Sequence, residues 1–341
     1  MRILFISPSH VDYLAATLLH GLRTQSGIEV IDVPRYDVVY SDYPMAQRRS
    51  VYGRGFTAFF GCEEEEECRR EQIDQRIARN EFGLIIIASI WSSWSWFAAR
   101  SHSLRGQKIV VLDGADAPQV YPHAGLWWRH PRRWLLPNVH RNSLYFKREW
   151  TADSQFNLWH KLLPRSWRSL LPLAGHLRPV SFSIPEGKVI KALPVKAKDF
   201  PRHIVDAEVA DHVPRSSTTY AFASEEEYYA DLQVSRFGIT TKRSGWDCLR
   251  HYEIAANGCV PCFRDFEQKP ATCAPHGLVP GVNCLSYGSA EELLGVIRKL
   301  RVNQYHSLAE GALQWARSNT TKQRAQQFLA EVTMGFDPAL S

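Results

Sequence analysis

Short apolar runs alternate with helical patterns through the first third of the chain. The runs RILFIS (2–7), IEVIDVP (28–34), GLIIIASI (83–90) and KIVVLDGAD (108–116) predict strands, and leucines at helical spacing predict a helix over 12–25. Strands that are apolar almost throughout, and that are separated by helices, indicate a parallel sheet covered on both faces.

The second half of the chain resumes this alternation. Ser224 with Glu227, and Ser289 with Glu292, have the spacing of capping boxes at helix starts. The remaining predicted helices are 67–80, 225–233, 247–258, 290–301 and 306–332, and the remaining predicted strands are 218–223, 235–241, 259–265 and 283–288.

Two strand–helix repeats joined by a Pro/Lys-rich connection predict an α/β fold with two Rossmann-like domains facing a cleft. A chain of 341 residues fits two domains of about 150 residues each. We expect an N-terminal domain over 1–180 and a second domain over 181–318. The last segment, 319–341, is expected to contribute a helix that crosses back to the N-terminal domain.

A basic, tryptophan-rich insertion at 126–178 interrupts the first domain. It carries ten Lys/Arg against two acids and six of the eleven tryptophans, whereas the whole chain has a net charge of +6. Three interpretations remain open: a membrane-surface patch, a nucleic-acid contact, or packed helices whose arginines reach the solvent.

Composition bounds the class of protein. With 45% hydrophobic and 22% charged residues the chain is globular rather than disordered. MRILFIS at the start is interpreted as a strand rather than a signal peptide, and no run reaches the roughly 18 apolar residues of a membrane helix. Seven scattered cysteines favour reduced thiols and therefore a cytoplasmic protein, either free or peripheral to a membrane.

The stretch TTKRSGWDCLRHYE (240–253) concentrates polar chemistry after a predicted strand. The free amides at the helix start, with Lys242 and Arg243 beside them and Gly245 allowing close approach, suit a diphosphate. Glu253 lies farther along the same helix, where a carboxylate can bind ribose hydroxyls, and Arg250 shares its face. The alternative is a solvated turn followed by a surface ion pair.

The longer segment SRFGITTKRSGWDCLRHYEIAANGCVPCF (235–263) resembles the donor-binding segment of GT-B glycosyltransferases. It is most similar to the "glycosyltransferase family 1" group related to exostosin and CgeB-like proteins. YGRGFT (52–57), LDGAD (112–116), YFKRE (145–149) and FSIP (182–185) also resemble that group.

The resemblance implies a GT-B fold and a nucleotide-sugar donor, with no metal or other cofactor. It implies that Glu253 binds the donor ribose, and that Lys242, Arg243 and the Gly245–Trp246 amides bind the diphosphate. The chain departs from the Glu-x7-Glu pattern of many retaining members, because Gly245 occupies the first position. Asp247 is the nearest carboxylate there, either as a donor contact or as a helix N-cap.

Candidates for an acceptor base follow the N-terminal strands. His10 and Asp12 come after the first strand, and Asp113 and Asp116 come after the fourth, with Asp113 favoured because it stands at the strand end. Alternatively, His10 is an ordinary loop histidine, and Asp12 and Asp116 are helix caps.

Other side chains on the same rim are weaker candidates. Trp91, Trp94 and Trp96 either stack on sugar rings or seal the core, and His276 lies in a loop that could contact the donor.

The predicted function is glycosyl transfer from a nucleotide sugar to a hydroxyl of a glycan, a lipid-linked glycan or a modified nucleic-acid base. The alternatives are another GT-B enzyme, such as an epimerase, and a non-catalytic binding module. A dinucleotide-binding enzyme and a P-loop NTPase are disfavoured, since neither GxGxxG nor GxxxxGK[ST] occurs.

Overall fold

The computed structural model describes residues 1–48, 51, 57, 61–64, 70–121, 143–151, 164–168, 177–220 and 222–337. Its strands, numbered in chain order, are β1 Arg2–Ile6, β2 Glu29–Val33, β3 Leu84–Ala88, β4 Ile109–Asp113, β5 Ser143–Lys147, β6 Leu177–Pro179, β7 Phe237–Thr240, β8 Val260–Arg264 and β9 Leu285–Tyr287. Its helices are α1 Tyr13–Arg23, α2 Met45–Arg48, α3 Ile73–Ala78, α4 Ile90–Ala99, α5 Arg165–Arg168, α6 Ala207–His212, α7 Glu225–Gln233, α8 Leu249–Ala256, α9 Ala290–Lys299, α10 Val302–Ser318 and α11 Thr321–Phe336.

The N-terminal half forms a parallel sheet in the order β2-β1-β3-β4-β5-β6. Every residue of β3 and β4 is buried, which explains why these strands are apolar throughout. The strand order reverses between β1 and β3, and doubly wound sheets bind ligands at the carboxyl ends of the strands beside such a point. The loops after β1 and β4 therefore lie at the expected edge.

The C-terminal half contains a smaller parallel sheet in the order β7-β8-β9, with α8 crossing between β7 and β8. Gly238 on β7 packs directly against Ile254 of α8, since a Cβ at this glycine would lie 2.6 Å from the isoleucine side chain. Ser224 and Ser289 cap α7 and α9 as predicted, each accepting a hydrogen bond from the amide three residues ahead. The reciprocal bonds differ from a capping box, because Glu227 and Glu292 accept from the amides of Ala223 and Gly288, one residue before each cap.

The last helix, α11, packs on the first half of the chain. The backbone of Thr321 lies against Gly21 of α1, and the side chain of Thr321 bonds to the imidazole of His20 at 2.8 Å. Phe328 of α11 meets Phe146 of β5 with ring centroids 4.6 Å apart. The last helix therefore packs against α1 and β5, as predicted for a segment that crosses back to the N-terminal domain. The domain boundaries stay a prediction.

Several predicted elements need correction. The run 218–223 is not a strand among the residues described there, and Ser217 makes only an isolated bridge with His203. The predicted helix 306–332 is two helices, α10 and α11, divided at Asn319–Thr320.

The basic insertion 126–178 lies mostly outside the described residues, including Trp127, Trp128, Trp134 and Trp159. Its described part contains β5 and β6, which the sequence did not predict. Lys147 and Arg148 are fully buried in ion pairs, so these two cations are not exposed to a membrane or to nucleic acid.

Within the described parts of the chain, no helix has the length and hydropathy needed to cross a membrane. The six cysteines of these parts are free thiols.

Candidate functional site

The loop before α8 meets the N-terminal sheet at Gly245. A Cβ on this glycine would lie 2.5 Å from Glu149 Oε1, 2.9 Å from Asp116 Oδ1 and 3.0 Å from Arg148 Nη1, so no larger residue fits here without rearrangement. The structure therefore brings together Gly245, predicted as a donor residue, and Asp116, predicted as an acceptor residue.

Arg148 holds this junction together. Its guanidinium is buried, and it donates to the carbonyl of Gly114 through both Nε and Nη2. It also donates to the carbonyl of Asp247 at 2.7 Å and pairs with Glu149 and Asp116. Arg148 therefore links the carboxyl end of β4 to the start of α8 through one side chain.

Glu149 occupies the amides at the start of α8. Its Oε1 accepts hydrogen bonds from the Trp246 amide at 2.9 Å and the Asp247 amide at 3.1 Å. A carboxylate is a suitable partner for the positive end of a helix. The expectation that the Trp246 amide faces a phosphate is corrected, because in this structure a side chain of the same protein fills that position.

Asp247 is not the N-cap of α8. Cys248 is the capping residue, and it makes no side-chain capping bond. The Asp247 carboxylate instead accepts from the Phe182 amide at 2.8 Å and from the Tyr252 hydroxyl at 3.1 Å. Burial raises the pKa of Asp247, and the attraction of Arg148 lowers it in part. Asp247 thus anchors the connection between the two halves.

The basic side chains of the loop remain at the surface. Lys242 and Arg243 are exposed, and the Lys242 ammonium lies 5.2 Å from the centroid of the Trp246 ring. Arg250 is half-buried on α8. The pKa of His203 is lowered, first by burial and then by the charges of Arg250 and Arg243. These two cations therefore lie near His203.

Glu253 is buried between the two halves and is bonded by hydroxyl groups. Thr57 Oγ1 donates to Glu253 Oε1 at 2.5 Å, and the Tyr228 hydroxyl donates to Oε2 at 3.1 Å. The Tyr229 hydroxyl reaches Thr57 Oγ1 at 2.6 Å, which extends the network. Burial raises the pKa of Glu253, while the bonds from Thr57 and Tyr228 and the charge of Arg250 oppose that rise.

Thr57 and Glu149 each lie in a motif that resembles the glycosyltransferase group, but neither residue was assigned a role from the sequence. Thr57 ends the quoted motif YGRGFT, whose other residues lie outside the described part of the chain. Glu149 ends the motif YFKRE.

Asp113 is not available as a base in this structure. It is fully buried and pairs with the Lys147 ammonium at 3.1 Å. It also accepts from Trp91 Nε1 at 3.1 Å, the Ala115 amide at 3.0 Å and the Tyr145 hydroxyl. A carboxylate with four donors has no lone pair left for an acceptor hydroxyl, so the preference for Asp113 is corrected.

The other three candidates for the acceptor base, Asp12, His10 and Asp116, have different surroundings. Asp12 is the N-cap of α1 and accepts from the Leu14 and Ala15 amides. Burial raises the pKa of Asp12, and attraction to His10 is among the effects that lower it. His10 is exposed, and the side chain of Asp116 is half-exposed while bonded to Arg148. No helix begins at Asp116 in the described residues that follow it.

The tryptophans on this rim pack against the core. Trp91 lies edge-on to Tyr121 with centroids 5.1 Å apart and donates to Asp113. Trp94 and Trp96 are half-buried against the same cluster. His276 lines a separate pocket beside α1 and α11 instead of contacting Glu253.

Within the part of the chain that the structure describes, no group of three His, Cys, Asp or Glu side chains is placed to hold a metal ion.

Neither a family model nor a curated protein matches the sequence. Solved structures match it over nearly its whole length. HepE from Anabaena, in complex with UDP and glucose, has a TM-score of 0.52 and 10% identity, covering 98% of this chain and 99% of that one. A glycosyltransferase from Rickettsia africae ESF-5 has a TM-score of 0.54 and 9% identity, covering 99% of both chains. Sucrose-phosphate synthase from Thermosynechococcus elongatus has a TM-score of 0.54 and 13% identity over the whole of both chains.

These neighbours are GT-B glycosyltransferases. The likeness confirms the predicted α/β fold of the GT-B type, and at such low identity it shows the fold alone. The exostosin- and CgeB-related subgroup stays a prediction.

Proposed function

We propose that this protein transfers a sugar from a nucleotide-sugar donor to a hydroxyl acceptor. The observation that carries the proposal is the Glu253 carboxylate, which lies on the helix after β7 and is bonded by two hydroxyl groups, Thr57 Oγ1 and Tyr228 OH. A ribose presents the same chemistry, a pair of adjacent hydroxyls that donate to one carboxylate. Replacing the Thr57 hydroxyl by a ribose hydroxyl conserves the hydrogen bond.

The diphosphate contacts in this proposal come from side chains. Lys242 and Arg243 lie in the loop before α8 and Arg250 lies in its first turn, and cations of this kind stabilise the charge that develops on a leaving diphosphate. We therefore assign charge stabilisation to these three residues and propose that no resident cofactor is needed. Gly245 is given no diphosphate contact in this proposal, because Glu149, Asp116 and Arg148 pack directly against it.

His10 is the acceptor base in this proposal. It is exposed in the loop that follows β1. His10 takes the proton of the acceptor hydroxyl, the acceptor oxygen bonds to the anomeric carbon, and the bond from that carbon to the diphosphate breaks. Asp116 is the second candidate for this role, since its carboxylate is half-exposed beside Gly245.

One of the neighbours named above, HepE, guides the choice of donor. HepE was solved with UDP and glucose, and also with UDP-glucose. We therefore propose a UDP-sugar as the first donor to test, with a glycan, a lipid-linked glycan or a nucleic-acid base hydroxyl as the acceptor.

The direct test combines binding with turnover. A panel of nucleotide sugars is added to the protein, and the midpoint of thermal unfolding is measured. A donor at 100 times its dissociation constant adds about 2.7 kcal/mol to the stability of the folded state. Release of the nucleoside diphosphate is then followed with and without candidate acceptors.

Glu253→Ala should abolish both signals, while Glu310→Ala, at an exposed position of α10, should leave both unchanged. Donor turnover that never needs an acceptor would favour an epimerase. Binding without any turnover would favour a binding module. A panel in which no nucleotide sugar shifts the midpoint would overturn the proposal.

A further inference from the structure

A pocket of about 250 Å³ lies beside the 179–183 connection, and neither Glu253 nor its partners Thr57 and Tyr228 line it. It is bounded by α1, the end of β5, this connection, the loop that contains His276, and α11. Its walls therefore come from both halves of the chain. No role has been given to this pocket in the proposed function.

Most of the wall is apolar. Leu14 and Leu18 of α1, Phe146 of β5 and Phe328 of α11 are buried residues that line it. Aromatic and aliphatic walls of this kind hold the carbon skeleton of a small ligand. An engineered apolar cavity of about 150 Å³ accommodates benzene, so this pocket accommodates about ten non-hydrogen atoms.

Two titratable side chains that line the pocket each have a buried polar atom without a partner. Neither His276 Nε2 nor Glu331 Oε2 has a hydrogen-bond partner among the described residues, and both atoms are shielded from solvent. A buried polar atom without a partner costs stability, and a hydroxyl group can satisfy both a donor and an acceptor.

The charges around the pocket disfavour ionic ligands. Burial lowers the pKa of His276 to about 4, helped by the charges of Lys269 and Arg324, so this imidazole is neutral near pH 7. The same two cations oppose a cationic ligand. The guanidinium of Arg324 is bonded to Asn319 and Gln327. The carboxyl group of Glu331 opposes an anionic ligand.

We propose that this pocket binds a small uncharged alcohol with an apolar body, whose hydroxyl bonds to His276 and Glu331. The ligand contacts α1, α11 and the His276 loop at once and so stabilises their packing. This inference stands apart from the proposed function, because its residues are not those assigned to the nucleotide sugar.

Four probes of similar size separate the chemistry. Benzyl alcohol, toluene, benzoate and benzylammonium share one ring and differ in the polar group. Binding is measured on the full-length protein by ligand-observed NMR and by the thermal midpoint. We expect benzyl alcohol at ten times its dissociation constant to raise the midpoint by about 2 °C. Toluene should bind at least fivefold more weakly, and the two ions should not bind.

Glu331→Leu should remove the preference for benzyl alcohol over toluene. The matched variant Glu310→Leu, at an exposed position of α10, should retain it. If Glu331→Leu fails to fold, the order of affinities of the four probes for the native protein still tests the proposal. Equal binding of all four probes, or binding of none because the pocket holds only water, would overturn the proposal.

Discussion

Glu149 and Glu253 are both buried carboxylates at contacts between the two halves of the molecule, but their partners differ in kind. Glu149 is bonded by two backbone amides and a guanidinium, which can only donate. Glu253 is bonded by two hydroxyls, which can donate or accept. The first set fixes one arrangement of the protein. In the proposed function, the second set is replaced by the hydroxyls of the nucleotide.

Under the proposed function, the contacts at the start of α8 are structural and those of Glu253, farther along the helix, serve recognition. The start of α8 is held by Glu149 and Arg148, whereas the carboxylate farther along α8 is surrounded by groups that a sugar can replace. Mutations of Glu149 or Arg148 should therefore change stability, and mutations of Glu253 should change nucleotide binding.

The largest expected effect is at Arg148. Arg148→Met removes the buried cation that pairs with Glu149, and it leaves the carbonyls of Gly114 and Asp247 without this donor. We expect a loss of about 3–5 kcal/mol in the free energy of unfolding, measured with urea.

Arg202→Met is the matched control, because the Arg202–Glu227 pair is 45% and 41% exposed. An exposed pair contributes at most about 1 kcal/mol. Equal losses in the two variants would contradict the structural role of Arg148.

His251 provides a pH-dependent contrast with Glu253 on the same helix. His251 is fully buried between Thr240 and the Trp246 carbonyl, and burial lowers its pKa to about 4. The unfolded chain therefore binds more protons than the folded one between pH 4 and 6.5, and stability falls as the pH drops through that window. The loss from this residue reaches roughly 3 kcal/mol.

His251→Gln should flatten that part of the stability curve relative to the native protein. His20 and His276 also have their pKa lowered to about 4, but they contribute equally to both proteins. Parallel curves for the native protein and the variant would show that His251 is not the acid-sensitive group.

The smallest stability effect is expected when the same change is made at the two carboxylates. Glu149→Gln removes charge-assisted bonds and should cost about 2 kcal/mol. Glu253→Gln should cost less than about 1 kcal/mol, because Thr57 and Tyr228 can turn their hydroxyls to accept from the new amide.

The Glu253 contribution also depends on pH. Its pKa is raised by burial, so the stability it contributes is complete below its ordinary value of 4.5 and declines as the pH rises through the raised pKa. The stability of Glu253→Gln relative to the native protein should therefore improve above pH 4.5, as followed by urea unfolding at several pH values.

Much of the fold could be predicted from the sequence where burial is continuous. β1 to β4 are apolar runs bounded by polar loops, and α8 ends at Ala256, two residues before Gly258, which has a φ of 71°. β5 was missed because Ser143 and Lys147 stand at its ends in a basic segment, and only tertiary pairing buries them. The run 218–223 has strand-forming residues but no ladder partner among those described.

The sequence pointed to only one side of the candidate site. Glu253 could be proposed from its place on a helix after a strand, because the amides and the carboxylate are close in sequence, and its role stays a prediction. Its partner Thr57 is 196 residues away, and Glu149 is 98 residues from the Asp247 amide that it binds. No local pattern reports such contacts, so the filling of the helix start by Glu149 could not be derived from spacing.

Calorimetric titration with UDP and 2′-deoxy-UDP tests the central claim, that Glu253 binds the ribose hydroxyls of a nucleotide. The account predicts that the native protein binds UDP at least tenfold more tightly than the deoxy compound, since a missing hydroxyl leaves the carboxylate unpaired. Glu253→Gln should bind the two nucleotides with nearly equal, weak affinity. Equal affinities for the two nucleotides in the native protein, or an unchanged preference in Glu253→Gln, would contradict the account.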